Sequence, residues 1–265
     1  MPIAKDGNRE IHYETSGGSD REALILLNSL GSTLRMWDKV VPDLESSFRI
    51  LRYDMRGHGA GFAPPGPYTI EQLGGDLIFL MDELGIERSH LCGLSLGGQV
   101  ALWMGIKAPQ RAHRIVLANT AARIGTSETW NDRIANIRRS GMAPLALTTL
   151  ERWFTPKYRQ EHSPEMEIVR QMIAATGING YAGCCAALRD SDLSSSVASI
   201  ESPCLVITGT HDPAAPPEDG RSLHAALRQS TYVELNSSHL SAWEKPGEFA
   251  SAVLTFLLQE EQADG

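Results

Sequence analysis

The 265-residue sequence is short of positive charge, with 24 Lys and Arg against 32 Asp and Glu and a formal net charge of −8. Nucleic-acid binding depends on clustered cations that neutralise phosphates, so no nucleic-acid partner is expected. An anionic small ligand would need a local cation to overcome the field of the whole chain. Cysteine is scarce: Cys92, Cys184, Cys185 and Cys204 show no metal-ligand spacing. Reduced, mostly buried thiols are expected rather than a disulfide framework. No stretch approaches the roughly 20 apolar residues that cross a bilayer. The opening Met1 to Glu14 is charged throughout and lacks the apolar run of a secretory peptide. A cytoplasmic protein without a membrane partner is the expectation. The sequence also lacks a Gly-rich phosphate cradle with its lysine and any metal-ligand clustering of His with Asp or Glu. Neither a nucleotide, a metal nor another cofactor is expected.

What remains is an ordinary globular balance, 42% hydrophobic and 21% charged. The length suits one α/β domain with an inserted element. Asp6-Gly7-Asn8 is a hairpin signal ahead of the alternation Ile11, Tyr13 against His12, Glu14. Ala23 to Leu27 is apolar on both faces, as a strand inside a parallel sheet must be. A helix capped by Ser32 or Thr33 is expected to run to about Leu44, and Ile50 to Tyr53 reads as a strand. From Thr69, apolar residues recur at helical spacing until Gly85. Ser89–Cys92 reads as a strand, Ser95–Lys107 as a helix and Ile115–Ala118 as a strand. The segment from about Arg123 to Leu193 is helical in character. Strands resume at Cys204–Ile207 and Tyr232–Leu235, with a helix after Pro216-Pro217 and another from Pro246 to about Leu258, before a tail, Glu260 to Gly265, expected to fray. The order predicts a mostly parallel, doubly wound sheet. The expected division is a core of residues 1–122 and 194–265, with a helical cap inserted at 123–193.

The chemistry centres on Gly93-Leu94-Ser95-Leu96-Gly97-Gly98, which follows a predicted strand and opens a predicted helix. This is the context of a nucleophile elbow, where a serine sits on a sharp turn whose neighbours must lack bulk. A tightly packed Gly-rich turn is the plain structural alternative. A serine hydroxyl needs a base. In this architecture the acid and then the histidine follow the serine along the chain. His224 falls inside a predicted helix, whereas His239 lies in the polar loop after the last predicted strand and is the expected base. Asp212, in the loop after Thr208, is the expected acid, with Asp190 and Asp192 as rivals that precede that strand. Leu96 N–H and an amide of the loop Asn28-Ser29-Leu30-Gly31, best Leu30, would form an oxyanion hole. The side chains of Asn28 or Ser29 are then available as a further polar contact. Asp54-Met55-Arg56-Gly57-His58-Gly59 reads as a structural turn in which Arg56 ties loops together.

With these residues the whole chain resembles the 3-oxoadipate enol-lactonases of the α/β-hydrolase superfamily. The likeness takes in Asn28 to Gly31, Arg35-Met36-Trp37-Asp38, the elbow, Asn119 to Thr126 and Trp130. It continues through Glu151-Arg152-Trp153-Phe154-Thr155-Pro156 and Tyr181-Ala182-Gly183-Cys184-Cys185-Ala186. Gly61, where such hydrolases often carry Ser, and His239 to Glu244 depart from the usual pattern. The resemblance implies an α/β-hydrolase fold and cofactor-free hydrolysis of a small anionic lactone in aromatic catabolism, by the β-ketoadipate route. A monomer or small homo-oligomer is expected. The substrate carboxylate would find a cap arginine, Arg133 first, with Arg138 and Arg139 as alternatives, and Trp130 and Trp153 would line the pocket. Another small-ester or carbon–carbon bond serine hydrolase is the nearest rival, and a non-catalytic binding protein on the same fold is the rival of a different class.

Overall fold

The computed structural model describes residues 2–259, so the tail expected to fray lies outside the described residues. β1 (Ile3–Asp6) and β2 (Arg9–Ser16) form the predicted hairpin, and β3 (Ala23–Leu27) follows. The helix expected from Ser32 or Thr33 to about Leu44 is not continuous. Thr33 caps a 3-10 turn at Leu34–Trp37, and only α1 (Val41–Leu44) comes after it. Pro42 explains the break. It has no N–H for the carbonyl of Asp38 one turn back, so the helix restarts with proline in its first turn.

β4 (Arg49–Tyr53) leads to α2 (Ile70–Glu83), whose start is fixed by two reciprocal 3.1 Å bonds between Thr69 and Gln72. β5 (Ser89–Leu94), α3 (Leu96–Lys107) and β6 (Ala112–Ala118) come next. Five helices then follow without an intervening strand among the described residues: α4 (Ser127–Ser140), α5 (Met142–Trp153), α6 (Pro156–Glu161), α7 (Ser163–Ala174) and α8 (Ile178–Asp190). The chain returns through β7 (Cys204–Gly209), α9 (Pro217–Ala226), β8 (Ser230–Leu235), α10 (Ser241–Glu244) and α11 (Pro246–Leu257). The two ends of the helical insertion meet, since Leu193 N–H donates to Ala122 O at 3.0 Å.

The eight strands form one sheet in the order β1-β2-β4-β3-β5-β6-β7-β8. β2 is antiparallel to both β1 and β4, and every later pairing is parallel. The central strands are apolar on both faces because helices cover both. Leu24, Ile25, Leu26 and Leu27 have no exposed surface, each burial being worth roughly 1.5–3 kcal/mol over exposure. Parallel pairing puts the C-terminal ends of β3, β5, β6, β7 and β8 along one edge, where the loops that follow can converge. The four cysteines are buried and unbridged. Among the described residues no helix is long and apolar enough to cross a membrane.

Candidate active site

Ser95 stands between β5 and α3 with φ 57° and ψ −112°, a backbone that L-residues rarely adopt. The surrounding turn holds it there. Ser95 N–H donates to Ala118 O at 2.9 Å, and Thr120 Oγ1 donates to Ser95 O at 2.9 Å. The elbow glycines are required by contact. A Cβ on Gly97 would lie 2.1 Å from Leu27 O, and one on Gly93 would lie 2.3 Å from Gly97 O. The Gly-x-Ser-x-Gly spacing therefore follows from backbone approaching backbone around the serine.

β7 and β8 deliver the other two groups. Asp212 lies in the loop after β7 and His239 in the loop after β8, and both are buried. His239 Nδ1 lies 2.7 Å from Asp212 Oδ2. With Asp212 ionised, that contact places the proton on Nδ1 and leaves Nε2 as the basic nitrogen. Asp212 Oδ1 accepts from Ala214 N–H at 2.7 Å and Ala215 N–H at 3.1 Å, so the carboxylate is held on both sides. The rivals lie elsewhere. Asp190 pairs with Arg189, and Asp192 with Arg123 at the surface. His224 packs on Tyr232 and contacts Ser230.

Ser95 and His239 line one cavity of about 210 Å³. Ser29 and Leu30 form part of its wall, and neither Leu30 N–H nor Leu96 N–H has a protein partner among the described residues. Asn28 is absent from that wall. Its amide donates to Tyr53 O at 2.7 Å and accepts from Trp37 Nε1 at 2.9 Å, so it braces the loop, and of the two residues only Ser29 lines the cavity. The next amide, Gly31 N–H, donates to Nε2 of His58 at 2.8 Å. Burial holds His58 down to about 4, keeping it a neutral acceptor. Arg56 ties its loop to a helix rather than to another loop, gripping Asp76 of α2 with two bonds of 2.6 and 2.7 Å.

The far wall comes from the insertion. Trp130, Arg133 and Trp153 all line the cavity, as expected. Trp130 Nε1 donates to Ile124 O, and the Arg133 guanidinium sits 5.0 Å from the Trp130 ring centroid. Arg138 and Arg139 do not reach it: Arg138 faces a different cavity, and Arg139 turns to Asn136. Arg152 and Tyr181 are among the lining residues that were not anticipated. Arg152 brings a second guanidinium, steadied by Thr149 at 3.2 Å, and Tyr181 lines the wall with Arg133. Arg152 lies next to Trp153 on α5, which was the available signal. The cavity thus joins a serine, an acid-oriented imidazole, Leu30 of the loop after β3 and two cations in an otherwise acidic chain, with Leu96 following Ser95 outside its wall.

The fold also assembles a cluster that the spacing did not reveal. Glu22, His90 and His113 offer ligand atoms within 4.8 Å of one another, at the opposite edge of the sheet. The imidazoles are stacked at 4.6 Å and 24°, so their in-plane lone pairs run side by side instead of converging. Nδ1 of buried His90 has no partner, whereas a metal-ligating histidine normally anchors its second nitrogen. The arrangement fits a carboxylate capping two imidazoles better than a metal centre.

A family model described as alpha/beta hydrolase fold matches residues 22–246. The chain is 40% identical to 3-oxoadipate enol-lactonase 2 of Acinetobacter baylyi, covering 92% of this chain and 91% of that one. It is 35% identical to 3-oxoadipate enol-lactonase 1 of the same organism, over 93% and 92%. The crystal structure of the enol-lactonase from Burkholderia xenovorans superposes with a TM-score of 0.96 at 43% identity, covering 97% of this chain and 100% of that one.

Proposed function

The chain belongs to the alpha/beta hydrolase fold family and to its enol-lactonase branch, and on that premise we propose that it hydrolyses 3-oxoadipate enol-lactone to 3-oxoadipate. Ser95 is the nucleophile, His239 the general base and Asp212 the acid that orients it. The reading is carried by one observation: the Asp212–His239 pair and the strained Ser95 open into a cavity whose far wall holds Arg133 and Arg152.

Nε2 of His239 takes the Ser95 proton as Oγ adds to the lactone carbonyl. Leu30 N–H and Leu96 N–H hold the oxyanion that develops. Collapse breaks the ring C–O bond, and the His239 imidazolium returns its proton to the leaving enol oxygen. The enol then becomes a ketone, which removes the group that would close the ring again. Water, deprotonated by His239, attacks the acyl-serine and releases the acid. The scheme draws on no cofactor. Segment 123–193 serves as the cap, and its guanidiniums receive the acetate carboxylate, Arg133 stacked on Trp130 and Arg152 beside it. This reaction belongs in aromatic catabolism by the β-ketoadipate route, in the cytoplasm.

The test is loss of ultraviolet absorbance by freshly generated enol-lactone, with wild type beside Ser95→Ala. Rapid loss in wild type, lowered by about three orders of magnitude or more in the variant, is expected. Turnover of a simple aryl ester without loss of the lactone would keep the serine hydrolase and discard the substrate.

A further inference from the structure

Asn119 has no exposed surface, stands just past the C-terminal end of β6 and takes no part in the chemistry above. Its φ is 47°, in the left-handed region where a non-glycine residue is uncommon and Asn is among the better tolerated. Asn119 N–H donates to Ile207 O of β7 at 2.8 Å, which fixes that backbone in place. The side-chain amide then reaches three parts of the site. Nδ2 donates to Asp212 Oδ2 at 3.0 Å and to Ser238 O at 3.3 Å, while Oδ1 accepts from Ser241 Oγ at 2.5 Å. Asp212 Oδ2 is the same oxygen that faces His239 Nδ1. Ser238 and Ser241 flank His239 in the chain.

We propose that Asn119 is a positioning residue of the triad, its amide sharing the Asp212 oxygen with His239 and tying that oxygen to the loop on both sides of the base. The inference rests on reading Ser95, His239 and Asp212 as the triad. The amide acts in two ways. It removes a rotational freedom of the carboxylate, so that Oδ2 meets Nδ1 without rearrangement. It also draws charge from that oxygen, which limits how strongly Asp212 holds the imidazolium and keeps His239 available as a base. The strained backbone is consistent with this, because a left-handed φ directs the amide under the acid.

Other charges face the same histidine and are left unchanged by a substitution at 119. Glu244 accepts Ser238 N–H at 3.0 Å, Arg133 and Arg152 line the cavity with His239, and Asp219 lies close enough to Asp212 to feel its charge. A shift seen on changing Asn119 to an uncharged residue therefore reports the amide itself.

Two variants test this, compared with wild type in kcat and KM for a simple aryl ester across pH. Asn119→Gly keeps the backbone comfortable and removes the amide, and Asn119→Asp keeps the shape but replaces the N–H donors with a carboxyl that adds its own charge beside Asp212. Imidazole titration of His239 by NMR, in a Ser95→Ala background, reads the coupling without turnover. In both variants kcat is expected to fall about 10- to 100-fold with KM within about twofold. The His239 titration and the acidic limb of the rate profile are expected to move to higher pH by about half a unit or more, furthest in Asn119→Asp. A lower melting temperature with kcat and the titration unmoved would make Asn119 a packing residue and overturn the proposal. A wild type inert to the ester and to a phosphonate serine probe would overturn the triad reading itself, and this proposal with it, so the wild-type control tells the two failures apart.

Discussion

Glu244 receives the backbone N–H of Thr155 at 3.3 Å, so one buried carboxylate joins the start of α6 to the loop that carries His239. The Thr155 hydroxyl donates to the same carboxylate, and Ser238 N–H completes the set at 3.0 Å. Trp243 beside it makes a second tie, its Nε1 donating to Glu165 of α7 at 3.0 Å, where Lys39 and Tyr158 also converge.

Glu244→Ala should leave two buried amide donors without acceptors. A loss of about 2–4 kcal/mol in unfolding free energy is expected, with Glu244→Gln recovering part of it through its one remaining acceptor oxygen. Chemical denaturation of the two variants beside wild type measures this. Equal stability of all three would mean that water replaces the carboxylate.

Arg133 and Arg152 should act on charge rather than on bond breaking. Either one changed to Ala is expected to raise KM for the anionic lactone about 10- to 100-fold, leaving KM for an uncharged aryl ester within about twofold. Steady-state kinetics on both substrates separates the effects. Parallel rises for the two substrates would assign the guanidiniums to the shape of the wall.

His58 should make stability depend on pH. Its folded-state pKa lies near 4, below the 6.5 of an unhindered imidazole, because burial disfavours the cation. A depressed folded value contributes stability that is complete above the unfolded pKa and lost as pH falls through the window from 6.5 to about 4. About 3 kcal/mol is at stake from this group. His90, also lowered by burial, works in the same direction. Unfolding curves between pH 7 and 4 should therefore be flatter for His58→Gln than for wild type. An unchanged slope would show that His58 contributes nothing to the loss.

The elbow was readable because everything it needs is local: a strand, two glycines, a serine and a helix within a few residues. The meeting of Asp212 and His239 was readable from chain order, each lying just past a strand end. The long helix expected before Leu44 failed because a cap at Ser32 or Thr33 marks only where a helix begins, and Pro42 ends it early. Asn28 was misplaced for a different reason. A polar residue in an oxyanion loop looks like a ligand group until Tyr53 and Trp37 are brought to it by the fold. Asn119 and its acid are 93 residues apart, and Glu22, His90 and His113 come from three chain segments, so no spacing rule could join them. The unusual stretch after His239 gains a meaning only with α6 and α7 in place, since Trp243 and Glu244 find Glu165 and Thr155 there.

The hydrogen bond from Leu193 to Ala122 has a consequence for ancestry. A segment of some seventy residues leaves and rejoins the sheet through a doorway one peptide wide, between strands whose pairing runs undisturbed from Ile115 opposite Cys204 to Ala118 opposite Ile207. Its length can change at those ends without disturbing the strand pairing, while its interior stays tied to the loop after β8 through Thr155 and Glu165. Selection for a new substrate can then rework the roof while the hydrolytic floor is inherited unchanged.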